Sequence, residues 1–253
     1  MRLRVALTLC LSLSLAPLVA RAHGVNLRLG DCSANNGVNS APLACAATSQ
    51  PVDLVASVEL SNALPNFCGA SALIDFQAAS ASLPNWWRFD GPGCRSGSCT
   101  AAWNASSGNA CTALWGPPVQ SGMQMLSIEE WQFSLGGANR IRYNGAAALA
   151  GFFDITQQDP RNGISEWGVV RLHITFDRTT GGMACSGCTT GMCVVFAQAD
   201  LHYGDNGEKK ASVTTPGTGG NAVMLNPAVA GQGCADGRAV RNTSWGSIKS
   251  LYR

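Results

Sequence analysis

Val169-Val-Arg-Leu-His-Ile-Thr-Phe-Asp177 alternates without a break. Val170, Leu172, Ile174 and Phe176 fall on one side of an extended chain, and Arg171, His173, Thr175 and Asp177 on the other. Successive side chains of a strand point to opposite faces, so this is a strand with one face in a core and one toward water. Val52 to Leu60 repeats the pattern, with Val52, Leu54, Ala56, Val58 and Leu60 together. Ser71 to Phe76 and Cys193 to Leu201 are shorter segments of the same kind, and Ile141 to Ala147 and Phe152 to Ile155 are weaker ones. Lengths of roughly 5 to 9 residues suit strands better than helices.

Between these segments the chain is dense in turn formers. Asp31–Ser40, Pro84–Gly122, Gln157–Ser165, Thr179–Gly191 and Pro216–Gly233 are rich in Gly, Pro, Asn, Ser or Asp. Helix signals are few. Ser127-Ile-Glu-Glu130 fits a capping box and predicts one short helix through Trp131. Short strands, few helices and long loops predict an all-β fold: an antiparallel β-sandwich or jelly roll, with long disulfide-bonded loops.

The N-terminus reads as an export signal. Basic Met1-Arg-Leu-Arg4 is followed by an apolar run, Val5 to Leu18, and then by Ala20-Arg21-Ala22, an A-x-A cleavage pattern. The run is about 14 residues, short for a bilayer span. The expected organisation is a cleaved signal over 1–22, a sandwich domain over 23–235 and a C-terminal tail over 236–253, with the product secreted or periplasmic. No later apolar run is long enough to predict a membrane span. Loss of Arg2, Arg4 and Arg21 takes the formal charge from +2 to −1. Charged residues make up 13% of the chain, about half the usual share, and no basic face is implied, so nucleic acid is not an expected partner.

Eleven cysteines are present, and Cys10 lies in the signal. An even set remains: Cys32, Cys45, Cys68, Cys94, Cys99, Cys111, Cys185, Cys188, Cys193 and Cys234. Outside the cytosol such a set predicts full oxidation into five disulfides, with Cys32–Cys45 and Cys94–Cys111 as candidate local pairs. Cys185-Ser-Gly-Cys188 with Cys193 also has the spacing of metal sites and redox dithiols. The glycines and threonines around it place it in a loop. A redox centre wants its first cysteine at a helix N-terminus, so a structural role is the expectation.

Val52–Leu60, followed by Cys68-Gly-Ala-Ser71 running into Leu73-Ile-Asp-Phe76, resembles an early cohesin strand pair. Trp167–Asp177 and Cys193–Leu201 resemble the second half of such a sandwich. The chain is also similar to uncharacterised exported bacterial proteins with a like cysteine arrangement and a closing Trp-Gly-x-Ile-Lys-x-Leu-Tyr-Arg. The cohesin resemblance implies a sandwich and, by family habit, binding to a dockerin. The ten cysteines depart from the cohesin pattern.

Cleavage after Ala22 would leave His23-Gly24 at the N-terminus, which resembles the start of the copper-dependent polysaccharide monooxygenases. That resemblance implies a copper site in which His173 or His202 supplies a further nitrogen. The residues themselves favour a non-catalytic module. Carboxylates are scattered, Glu129-Glu130 being the adjacent pair, and neither a nucleophile elbow nor an H-E-x-x-H motif occurs, so no catalytic residue and no cofactor is expected. Asp205-Asn-Gly-Glu208 predicts a type I′ hairpin turn, with calcium binding as its alternative. Asn104 and Asn242 head N-x-[ST] sequons. Trp86, Trp87, Trp103, Trp115 and Trp131 crowd a loop-rich stretch with Cys94, Cys99 and Cys111. Packing over the disulfides as a cap on the sandwich is the first reading of such aromatics, and stacking of flat indole faces on sugars from stiff loops is the second. Expected partners are therefore a glycan or a cell-surface protein. Trp87 and Trp103, with polar neighbours, are the first candidates for exposure.

Overall fold

A computed structural model describes residues 24–33, 36–103, 111–115, 122–158, 165–229 and 234. The signal segment, His23, Asn104, Asn242 and the tail 236–253 lie outside the described residues.

The fold is nearly all β. Four strands form one sheet in the order β1 (Gly24–Leu29), β3 (Val52–Glu59), β8 (Glu166–Ile174), β5 (Cys99–Ala102), every pair antiparallel. The second sheet runs β2 (Ser40–Ala41), β11 (Ala222–Leu225), β9 (Met192–Tyr203), β4 (Leu64–Ala78), β7 (Arg140–Ile155), β6 (Met125–Phe133). β10 (Lys209–Val213) adds a hairpin partner to β9. Among the described strand pairs, only the short β2–β11 contact is parallel. Leu54, Ala56, Val58, Leu172 and Ile174 from the first sheet meet Phe67, Ile74, Phe76, Ile141, Val194 and Phe196 from the second in one buried core. Alternation along Val169–Asp177 and Val52–Leu60 thus places a sandwich interior where the sequence predicts it.

Boundaries differ in instructive ways. The two weak segments Ile141–Ala147 and Phe152–Ile155 are parts of one long β7, whose outer face carries Ala146, Ala148 and Ala150. Alanine and glycine blur the polar half of the alternation. The helix predicted from Ser127 is instead β6, paired residue for residue with β7. A capping box adds only a small local gain, and nine residues of ladder against β7 outweigh it. At Asp205–Glu208 a hairpin does form, but as the five-residue connection Gly204–Glu208, with Tyr203 opposite Lys209. Gly204 and Gly207 hold its positive φ values and Asn206 does not, so the turn is not type I′.

The cysteine expectation is corrected. Four disulfides form: Cys32–Cys111, Cys45–Cys188, Cys94–Cys185 and Cys193–Cys234. Cys68 and Cys99 are free thiols. Neither local pair exists, because a sandwich brings loops from distant parts of the sequence together at its ends. The C-x2-C motif staples two different loops, Cys185 to the one holding Cys94 and Cys188 to the one holding Cys45. Cys68 sits at a register break in β4 and lines the outer side of its sheet, whereas Cys99 is buried between the sheets. The seven-stranded sheet separates them. Burial pushes both thiols up from their ordinary range, Cys99 far more than Cys68.

Candidate functional site

Core packing is the first reading of the tryptophans and a ligand surface the second, and the structure places most of them inside. Trp86, Trp87 and Trp115 are fully buried and Trp103 is 2% exposed. In a strand Trp86 and Trp87 would face opposite ways. They sit instead in a 3-10 turn, Asn85–Trp87, which turns both inward, where their rings meet edge to face at 4.7 Å. Trp131 is half-buried, its ring against Phe76, Phe89 and Tyr143. Arg95, also fully buried, stacks on Trp86 at 3.6 Å. Its guanidinium donates to the carbonyls of Trp86, Asp177 and Thr175. Burial lowers its pKa to about 10. Trp86 Nε1 donates to Thr179 Oγ1 and Trp115 Nε1 to the Val169 carbonyl. The four buried indoles belong to the core, Trp103 and Trp115 beside Phe67 and Trp86 and Trp87 toward Phe89 and Phe76, and offer no stacking face.

Of the histidines in the copper expectation, the described His173 and His202 lie on different sheets. His173 lies on the outer face of β8, with Nδ1 2.7 Å from Asp53 Oδ1. Asp53 is opposite His173 and Glu59 is opposite Gly24 in the same sheet, six residues apart along β3, about 20 Å. His202 belongs to the other sheet, opposite Gly69 and Lys210.

Two carboxylates that the sequence leaves far apart are brought together. Glu59 and Glu166 are register partners on β3 and β8, 8% and 0% exposed. Asn26 Nδ2 donates to both, at 3.0 and 3.3 Å. Ser57 Oγ donates to Glu166 at 2.6 Å, and Ser33 donates to the same carboxylate through N and Oγ, each at 3.1 Å. Thr218 donates to Glu59 through N, at 2.8 Å, and through Oγ1. The Gly219 N–H closes on Asn26 Oδ1 at 3.0 Å. Loop residues 33 and 218–219 are thereby held over the first sheet. A pair of adjacent carboxylates is the raw material of glycosidic acid–base chemistry. Here Glu166 accepts at both oxygens and Glu59 at Oε1 from donors under cover, so the arrangement acts as a structural clasp.

What remains open is the outer face of the seven-stranded sheet. Between β6 and the β9–β10 hairpin runs a trough of about 430 Å³. Gly69, Ser71, Ala146 and Ala148 form its floor, so small that neighbouring strands leave a channel. Leu126 and Ile128, opposite Ala148 and Ala146, stand as one wall, 78% and 75% exposed. Cys68, His202, Asn206 and Gly207 form the other. Large aliphatic side chains fully displayed beside an apolar floor mark a contact surface. The strand alternation Leu126, Ile128, Glu130 was hidden by the helical reading of Ser127, which is why sequence reasoning missed this surface.

On the inner side of β6, Glu129 accepts a hydrogen bond from the Ala101 N–H of β5, joining the two sheets at their open edge. Desolvation holds its carboxyl above the usual value of 4.5. A raised folded-state pKa means that the proton-bound form is favoured by folding. Its stabilising share is complete below the unfolded value and is lost as pH rises through the folded one. Glu129→Gln keeps an acceptor for Ala101 and removes this loss. Its melting temperature is expected to match wild type below pH 4 and to exceed it at pH 7, as read by thermal denaturation across that range. A lower melting temperature than wild type at pH 7 would show that the charge itself is needed.

No family model and no curated protein matches the chain. Among solved structures, a cohesin module from a Clostridium perfringens family 33 glycoside hydrolase is similar over 81% of this chain and 98% of that one. It shares 8% sequence identity at a TM-score of 0.30. At that level the likeness carries no argument about partner or activity, and the fold rests on the strand order given above. No helix among the described residues is long and apolar enough to cross a membrane.

Proposed function

We propose that this chain is an exported, non-catalytic β-sandwich module that binds a cell-surface protein through the trough on its seven-stranded sheet. The observation that carries this reading is the pairing of exposed Leu126 and Ile128 with the floor of Gly69, Ser71, Ala146 and Ala148. Supporting it, four disulfides suit an oxidising compartment. The carboxylates best placed for chemistry are bound up in the clasp described above. A protein partner is favoured over a glycan because sugars call for exposed aromatic faces and hydrogen-bonding groups, and Trp86, Trp87, Trp103 and Trp115 are buried, with Trp131 half-buried.

Ser71→Arg tests the reading. It fills the trough floor from the outside and leaves the core untouched. In the exporting host, wild-type protein is expected in the cell-envelope fraction. The variant, with an unchanged melting temperature, is expected to shift at least tenfold toward the medium or soluble periplasmic fraction. Equal partition of the two proteins, or wild type already free, would contradict the proposal.

A further inference from the structure

A free sheet edge carries a row of unpaired N–H and C=O groups, and natural β proteins cover or blunt their edges. Three edges here are treated that way. β1 is closed by loop bonds, Val25 N–H to the Thr215 carbonyl at 2.9 Å, Leu27 to Gly220 at 3.1 Å and Leu29 to Val38 at 2.8 Å. β5 is four residues long and receives the Glu129 carboxylate at Ala101. β2 is two residues long. β6 differs. It runs nine residues with no proline, lysine or arginine and no register break against β7. Its outer edge has no backbone partner among the described residues.

Which groups are free follows from the ladder. The Ala150 N–H donates to the Gln124 carbonyl at 2.9 Å and Ser134 donates to Arg140 at 3.0 Å. Hydrogen-bonded pairs alternate along an antiparallel ladder, so the even-numbered residues of β6 turn their backbone groups toward β7. Met125, Ser127, Glu129, Trp131 and Phe133 turn theirs outward.

We propose that β6 pairs antiparallel with β6 of a second copy of this chain, on a two-fold axis at Ile128, joining two seven-stranded sheets into one. Outward groups must meet outward groups, and this axis does that, with Ser127 opposite the partner's Glu129 and Met125 opposite the partner's Trp131. Charge selects the register. An axis at Glu129 or Glu130 sets two carboxylates directly opposite each other, which is destabilising. The Ile128 axis sets Glu129 against a serine hydroxyl and Glu130 against Leu126. An axis at Ser127 avoids the clash too, but pairs only residues 125–129 of β6. At Ile128 the two copies meet at a non-hydrogen-bonded position, with Cα atoms about 4.5 Å apart and side chains in contact. Leu126, Ile128, Ala146 and Ala148 of both copies then form one apolar strip, so the two troughs become continuous and stay open. The pairing uses the strand edge and the proposed partner uses the sheet face, so either can fail alone.

Sedimentation velocity on the mature chain over a micromolar concentration series tests the pairing. A monomer–dimer equilibrium is expected. Ser127→Pro removes an outward N–H and leaves the ladder to β7 intact, a position where an edge strand accepts proline. Ile128→Lys puts two ammonium groups on the axis. Each is expected to weaken dimerisation at least tenfold with the β-sheet circular dichroism spectrum retained, and Ile128→Lys decides the matter if the proline variant does not fold. Ile128→Cys is expected to cross-link into a covalent dimer on mild oxidation, because about 4.5 Å lies within disulfide reach. Gln132→Cys, whose two copies stand far apart in this register, is expected to stay at the wild-type level. A monomeric wild type, dimerisation unchanged by Ile128→Lys, or equal cross-linking at both cysteines would overturn the proposal.

Discussion

Glu166→Ala is expected to lower the free energy of unfolding by about 3–5 kcal/mol, among the largest single-residue effects in the molecule. The side chain is fully buried, and three residues donate to it: Asn26, Ser33 and Ser57. Removing the carboxylate strands these donors under loops that exclude water, at about 1–3 kcal/mol for each group left unsatisfied, less whatever a new water recovers. The clasp also fixes the loop that carries Thr218 and Gly219, through Asn26, so the damage spreads to the edge of β1. Guanidinium denaturation of the mature protein reads the loss as a lower midpoint. Ser57→Ala, which removes one donor and leaves a carboxylate with others, is expected to cost about 1 kcal/mol. A Glu166→Ala midpoint within error of wild type would show that the clasp is ornamental.

Loss of a long-range disulfide is expected to have a comparable effect. Cys94–Cys185 closes 91 residues and Cys45–Cys188 closes 143. In the chain-entropy model closures of this length contribute roughly 4–5 kcal/mol each, an upper figure because measured effects commonly run 2–4. Replacing Cys94 and Cys185 together by alanine is expected to lower the denaturation midpoint by a corresponding amount. The same connectivity fixes a thiol count. Ellman titration of the denatured, unreduced chain is expected to find two thiols, Cys68 and Cys99, where a fully oxidised set would give none. In the native protein Cys99 is expected to stay unreactive, since it is buried and its pKa is raised.

The fold was largely legible because the sandwich core depends on period-2 alternation, and Val169–Asp177 and Val52–Leu60 show it with large aliphatic residues on one side. It was least legible where the sheet carries small residues. Ala146, Ala148 and Gly69 are the floor of the trough, and their smallness both weakens the strand signal and creates the surface. β6 was read as a helix start because Ser127 and Glu130 satisfy a local rule, and only pairing with β7 decides against it. The cysteines pointed to a staple-rich architecture that suits an oxidising environment, but pairing is set by which loops meet at the sandwich ends, and local spacing holds no record of that. Aromatic clustering was equally silent on side. In a strand Trp86 and Trp87 would face opposite ways, and only the 3-10 turn there buries both, with Arg95 stacked on Trp86.

The central claim is that this protein works through the outer face of its seven-stranded sheet, while the groups that resemble catalytic or ligand-binding sets are structural. Site-specific photo-crosslinking in the exporting host tests it most directly. A benzophenone amino acid placed at Ala148, on the trough floor, is compared with the same group at His173, on the outer face of the other sheet. The account predicts a discrete adduct from Ala148 containing a polypeptide other than this chain, and none from His173. Adducts from His173 alone, or only self-adducts from Ala148, would contradict it.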